Sequence, residues 1–182
     1  MVGQQMKRNS NLPDAMTARS TSSPPVNDGS APVVPLRDVL AAHPFLQGLN
    51  PEHVRLLADS AMRVQYQPGE IIFREGDPAN RFYLIEQGRV SVESRSKDDP
   101  PVAVQVVSNG DVLGWSWLFA PYYWHFDARA TEPTTAIFFY GTRLREQCEE
   151  DHGFGFEMMK RMVHVVIHRL QATRQQLLLS GR

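Results

Sequence analysis

Residues Pro68–Val90 read PGEIIFREGDPANRFYLIEQGRV. Gln67-Pro68-Gly69-Glu70 forms a turn and Ile71-Ile72-Phe73 a short strand. Glu75-Gly76-Asp77-Pro78-Ala79 turns again, and Phe82-Tyr83-Leu84-Ile85 is a strand closed by Gln87-Gly88. Gly69, Gly76 and Gly88, and later Gly110, stand where a strand ends and the chain turns sharply, the kind of corner that calls for positive φ. Working outward, Arg63–Tyr66 alternates before this stretch, and Val90–Ser94 alternates strictly after it and reads as a half-buried strand. Lys97-Asp98-Asp99-Pro100-Pro101 makes a polar hairpin tip, Val102–Val107 is a further strand ended by Asn109-Gly110, and Thr135–Tyr140 closes the sheet. Turn signals about every 8–12 residues between short apolar runs indicate an antiparallel sandwich or barrel.

The flanks are helical. Leu36, Val39, Leu40, Phe45 and Leu46 precede Asn50-Pro51, an N-cap followed by proline at the first helical position. Val54, Leu57, Ala58 and Ala61 then recur at helical spacing, so two short helices fit between Pro35 and Arg63. Beyond the sheet, a helix with Thr142 as cap runs to about Asp151, and His152–Phe156 breaks it. A long helix then extends from about Phe156 to Leu179. Its apolar set, which includes Met159, Met162, Val163, Val166, Ile167 and Leu170, is wider than a solvated helix needs. Those six residues are candidates for packing against a second copy, a homodimer. Residues 1–34 hold no aromatic residue and are crowded with Ser, Pro, Asn and Gly, which predicts a disordered arm. Residues 35–182 form one domain, with the β-roll over about 64–140 and the C-terminal helices over about 142–179.

Composition narrows the function. The net charge of -1 over 182 residues argues against a protein that coats nucleic acid. The single Cys148 excludes an internal disulfide, a cysteine-rich zinc site and an all-cysteine iron–sulfur cluster, and with no apolar leader the expected compartment is the cytoplasm. Of the histidines, His43, His53, His125, His152, His164 and His168, only His125 falls in the sheet region, so a cupin-type metal site fails. His164 and His168 are four apart on the long helix, but no HExxH glutamate lies between them. With no phosphate loop, nucleophile elbow or paired carboxylates, the reading is a non-enzyme with no metal and no cofactor.

Asp111–Ala130, DVLGWSWLFAPYYWHFDARA, holds all three tryptophans and 7 of the 17 aromatic residues. It is too short and interrupted to cross a membrane, which takes about 20 apolar residues. It is therefore core, ligand pocket or docking surface.

Residues 38–178 resemble the cyclic nucleotide-binding domain, the sensor module of CRP/FNR regulators, protein kinase A regulatory subunits and gated channels. Pro68–Val90 reproduces the family's P-G-E…G-D…Y-x-I…G-x-V spacing, and Gly110-Asp111-Val112-Leu113-Gly114 fits the glycine pair leading into its phosphate-binding cassette. The resemblance implies an antiparallel β-roll or jelly roll of about eight strands, with short N-terminal helices and a long C-terminal one. In the family the cassette reads G-E-x-x-L, then an Arg and a small residue; the Glu holds the ribose and the Arg the cyclic phosphate. Here Gly114 and Leu118 keep their places, but the Glu position is Trp115. The Arg position is Trp124 counted back from Arg129-Ala130, or His125 counted forward from Phe119. Losing one bidentate charged pair costs about 2–5 kcal/mol, roughly 30- to 4,000-fold in affinity. Cyclic nucleotide is thus disfavoured, and the alternation places Arg129 in an ordinary strand slot.

Gly114, Trp115, Ser116, Trp117, Leu118, Tyr122, Tyr123, Trp124, His125 and Arg129 are the candidate ligand-binding residues. They could form a remodelled pocket, a self-filled scaffold or a protein-docking surface. The expected function is regulatory or sensory, acting through a protein partner. An assembly protein that senses nothing and a genuine small-ligand sensor are the alternatives. A CRP/FNR regulator's DNA-binding domain would begin where the sequence stops at Arg182, so no direct nucleic-acid binding is expected.

Overall fold

The computed structural model describes residues 34–95 and 100–180. Residues 1–33 of the expected N-terminal arm, residues 1–34, and Lys97, Asp98 and Asp99 of the expected hairpin tip lie outside the described residues.

Two short helices open the domain, α1 (Leu36–Ala42) and α2 (Pro51–Ser60), with a 3₁₀ turn at Pro44–Leu46 between them. Asn50 caps α2 as expected, its side-chain oxygen accepting from the Glu52 amide at 2.9 Å with Pro51 at the first helical position. Among the described residues, eight strands follow: β1 (Met62–Tyr66), β2 (Ile71–Phe73), β3 (Arg81–Gln87), β4 (Arg89–Ser94), β5 (Val102–Ser108), β6 (Val112–Leu113), β7 (Asp127–Ala130) and β8 (Thr134–Tyr140). They form two antiparallel four-stranded sheets, ordered β1-β8-β3-β6 and β2-β7-β4-β5, the β-roll expected from the sequence. Helices α3 (Gly141–Glu150) and α4 (His152–Ser180) complete the chain.

The sheet containing β3 and β8 is buried on both faces because alternate residues serve two cores. Tyr83, Ile85, Ala136 and Phe138 meet Val90, Val92 and Val107 between the sheets. Phe82, Leu84, Ile137 and Phe139 point the other way, onto α1, α2 and α4. Gly88 makes the β3–β4 corner possible. Its φ is +104°, and a Cβ there would lie 2.5 Å from Thr134 Oγ1 and 2.6 Å from the Pro133 carbonyl.

Four expectations need correction. First, β4 is not half-buried. Ser91 and Glu93 on its outer face are buried as well, because Arg129 of the adjacent β7 extends along Glu93 at 3.3 Å. Second, α3 begins at Gly141 with Tyr140 as its cap residue, so Thr142 lies inside the first turn. Third, α4 starts at His152 instead of about Phe156. Gly153 and Gly155 are tolerated there since Asp151 accepts from the Phe154 amide at 3.0 Å, and Gly155 lies where a Cβ would meet the Cys148 carbonyl at 2.8 Å. Fourth, Met162 is no part of an outer face. It is 1% exposed and packs with Phe154 and Met158 into the helical core. Met159, Val163, Val166, Ile167 and Leu170 are exposed and lie along a different strip of the helix. No helix among the described residues is long and apolar enough to cross a membrane.

Candidate functional site

The cassette leaves β6 at Gly114, makes one 3₁₀ turn at Ser116–Leu118, bends through Tyr122 and enters β7 at Asp127. Its returning half is tied to the β2–β3 turn that marks the Pro68–Val90 stretch. The Gly76 amide donates to the Trp124 carbonyl at 2.9 Å, the Trp124 amide to Asp77 at 2.9 Å, and the Ala79 amide to Tyr122 at 2.7 Å. The buried Asp127 carboxylate accepts from the Glu75 amide at 2.8 Å and pairs with Arg95. Tyr122 holds φ 61°, a conformation uncommon for a non-glycine residue, and its ring lies under the Arg145 guanidinium at 4.3 Å.

The side chains inside this frame fill it. Trp124 is 5% exposed and stacks on Phe73 of β2, with ring centroids 3.9 Å apart and planes 13° from parallel. The far edge of its indole lies over Gly114, where a Cβ would sit only 2.7 Å away. Of the two residues that count to the family's arginine position, Trp124 is the buried one and His125 the exposed one. His125 stays at the rim, stacked on Trp115 at 5.5 Å and hydrogen-bonded through Nδ1 to Ser116 Oγ at 3.1 Å. Gly114, Trp115, Ser116, Trp124 and His125 are therefore one cluster.

Other candidate residues fall elsewhere. Trp117 is 0% exposed and packs on Phe82 in the helical core, and Leu118 packs against that same core. Tyr122 and Tyr123, joined by Phe119, lie exposed on the outer surface of the cassette. Arg129 keeps its strand slot on the outer face of the sheet, where it meets Glu93 at 3.3 Å and the Gly69 carbonyl at 3.1 Å. It is committed there and does not stand in for a phosphate-binding arginine.

Two contributors were missed in the sequence. Phe73 read as a strand residue, and nothing in its spacing announced a stacking partner for Trp124. Arg145 reaches from α3 to donate to the Trp117 carbonyl at 2.6 Å while covering Tyr122; its contact spans 28 residues, beyond any local pattern. Cys148 offers no nucleophile to this site: burial, with Glu149 and Asp151 adding to it, pushes its thiol up to about 11.

A two-sheet antiparallel roll bracketed by short helices and a long C-terminal helix, with a glycine-entered cassette between β6 and β7, is the β-roll of the cyclic nucleotide-binding fold. Residues 63–151 match the cyclic nucleotide-binding domain, and the chain carries a domain of that family. It is 39% identical over 67 residues to the acetyltransferase Pat of Mycolicibacterium smegmatis, a span of 37% of this chain and 20% of that one. It is 27% identical over 84 residues to a CRP-like cAMP-activated global transcriptional regulator of Mycobacterium tuberculosis, covering 46% of this chain and 38% of the regulator. The chain thus matches less than two fifths of the length of these relatives. A putative cyclic nucleotide-binding protein from Geobacter metallireducens superposes with a TM-score of 0.67 at 28% identity, over 74% of this chain and 97% of that one. Among such relatives the domain is regulatory.

Proposed function

We propose that this protein is a non-enzymatic regulatory module that acts through a protein partner and whose cassette takes no cyclic nucleotide. One observation carries the reading: the indole of Trp124, one of the two residues that count to the family's arginine position, lies buried between Phe73 and Gly114. A cyclic phosphate entering there would have to displace a buried aromatic ring, while Arg129 is engaged with Glu93 and Arg145 with the Trp117 carbonyl and the Tyr122 ring. Exposed Phe119, Tyr122 and Tyr123 suit a protein surface, where aromatic anchors dominate binding energy. The exposed apolar strip of α4, Met159, Val163, Val166, Ile167 and Leu170, suits a second copy of the chain.

Isothermal titration with cyclic AMP and cyclic GMP, followed in parallel by tryptophan fluorescence, tests the central claim. The expected result is no saturable heat and no change in emission below millimolar nucleotide. Stoichiometric binding of either nucleotide would overturn the reading.

A further inference from the structure

A cavity of about 520 Å³ lies away from the cassette, between the Pro44–Leu46 turn, the β5–β6 turn and α4. One wall is apolar, formed by Phe45, Val112 and Val165. The other carries two arginines and two imidazoles: Arg161, His164, His168 and Arg169 all come from α4. Asp111 is the one carboxylate in the lining, and it already accepts from the Ser108 amide at 2.8 Å.

The two arginines are held differently: Arg161 has a carboxylate partner on its own helix, whereas Arg169 is oriented by a carbonyl that does not neutralise it. Arg169 donates to the Val112 carbonyl and, among the described residues, forms no ion pair. Burial works against its charged form, and only the more distant Asp111 opposes that. Arg161 uses Nη1 on the Phe45 and Gln47 carbonyls at 2.6 and 2.9 Å, its Nη2 lies 3.9 Å from the Glu157 carboxylate and its Nε is buried with no hydrogen-bond partner, so the unneutralised guanidinium of this wall is that of Arg169. A desolvated guanidinium with only carbonyl oxygens for company has an unmet demand for an anion, and a planar fork suits carboxylate or phosphate.

Helix geometry keeps this wall free of the contacts already described. Met158, Met162 and Val165 face the core, whereas Arg161, His164 and His168 recur at i, i+3 and i+7 on a neighbouring strip. The exposed apolar strip through Met159, Val163, Val166 and Leu170 lies on the far side. A second copy seated on that strip leaves the cavity mouth open.

We propose that this cavity is a binding site for a small amphiphilic anion, a carboxylate or phosphate head held by Arg169 and His168 with its hydrocarbon body on Phe45, Val112 and Val165. The site is separate from the cassette and does not depend on whether the cassette binds anything.

Calorimetric titration of the full chain with hexanoate and with hexyl phosphate tests the proposal, with hexanol and inorganic phosphate as half-probes. At least one amphiphile should bind saturably, one per chain, and its head group identifies the preferred anion. Both half-probes should bind at least about tenfold more weakly, because each lacks one wall's partner. Arg169→Met keeps much of the stem but removes the charge, and should weaken the amphiphile by about 10- to 100-fold. Should that variant unfold, His168→Ala, at an exposed position, is expected to weaken binding severalfold. Tyr123→Ala in the cassette should leave it unchanged. Failure of both amphiphiles to saturate, or wild-type affinity in the folded variants, would overturn the proposal.

Discussion

Between Pro68 and Val90 the chain turns on what its backbone must do, whereas between Gly114 and His125 it turns on what its side chains fill. The first region places glycine where φ is positive, at residues 69, 76 and 88, and at Gly88 a Cβ would also strike the Pro133 carbonyl at 2.6 Å. The second also begins at a glycine of positive φ, but the atoms over Gly114 belong to the Trp124 ring. A scaffold fixed by backbone geometry can keep its form while the chemistry at its mouth is replaced. Trp115 and Trp124 set the surface of the cassette without touching the corners that build the roll.

The largest effect that could break this comparison comes from Trp124→Ala. If the indole is the plug of the cassette and part of its packing, the substitution should cost about 3–5 kcal/mol in urea unfolding. It should also gain no affinity for cyclic AMP, because the emptied space acquires neither a cation nor a ribose-binding carboxylate. A cost below about 1 kcal/mol, well under that expected for a buried aromatic, would mean the ring is a movable lid.

The paired glycines sharpen the contrast. Gly88→Ala should cost about 2–4 kcal/mol, since positive φ and a backbone collision act together. Gly114→Ala should cost a similar amount in the native chain, yet only about 1–2 kcal/mol in the Trp124→Ala background, where strain remains and the collision is gone. A double-mutant cycle checks this. Additive costs at Gly114 and Trp124 would show that the ring yields freely, and the distinction between the two corners would fail.

The same distinction explains how much could be read in advance. The succession of strands along the chain, the corner glycines and the Asn50 cap were legible because each rests on local backbone chemistry. Trp117 was not: it sits one residue from Ser116 of the cassette cluster, yet its ring belongs to the helical core. Periodicity fails in a single 3₁₀ turn, so adjacent residues there carry no face assignment. The counts to Trp124 and to His125 differ by one residue of loop length, and the tie of Trp124 to Gly76 and Asp77, about 47 residues away in the chain, has no local signature. Gly153 and Gly155 read as a helix break because their tertiary reason, the close approach to Cys148, is invisible locally.

Arg145 provides a smaller test on the cassette side. Arg145→Ala removes the hydrogen bond to the Trp117 carbonyl and the cation over Tyr122, an expected loss of about 1–2 kcal/mol. Hydrogen exchange should rise at Leu118–Tyr123 and stay unchanged at β3 and β8. Uniform exchange across the roll would show that cassette and scaffold open as one unit, against the comparison.

The smallest effect lies on the scaffold side and depends on pH. His43 is buried at the start of the Pro44–Leu46 turn, where its Nδ1 accepts from the Phe45 amide at 3.3 Å. Burial is the main cause of its pKa lying below the usual 6.5; the Ile85 carbonyl, Asp111 and Glu86 oppose it only in part. A histidine lowered in the folded state leaves stability intact above the unfolded value. As pH falls through about 6.5 toward the lower folded value, the unfolded chain takes up the proton first and stability declines. Asp151 lies in a separate window: the Phe154 amide, then His53, hold its carboxyl low, so its contribution is lost only below about pH 4. Urea midpoints should therefore fall between pH 7.5 and 5.5 in the native protein and fall less in His43→Asn, whose amide oxygen can still accept from Phe45 without titrating. Equal slopes in the two proteins would remove His43 as the source and, with it, the claim that the turn beneath the scaffold is held by a neutral imidazole.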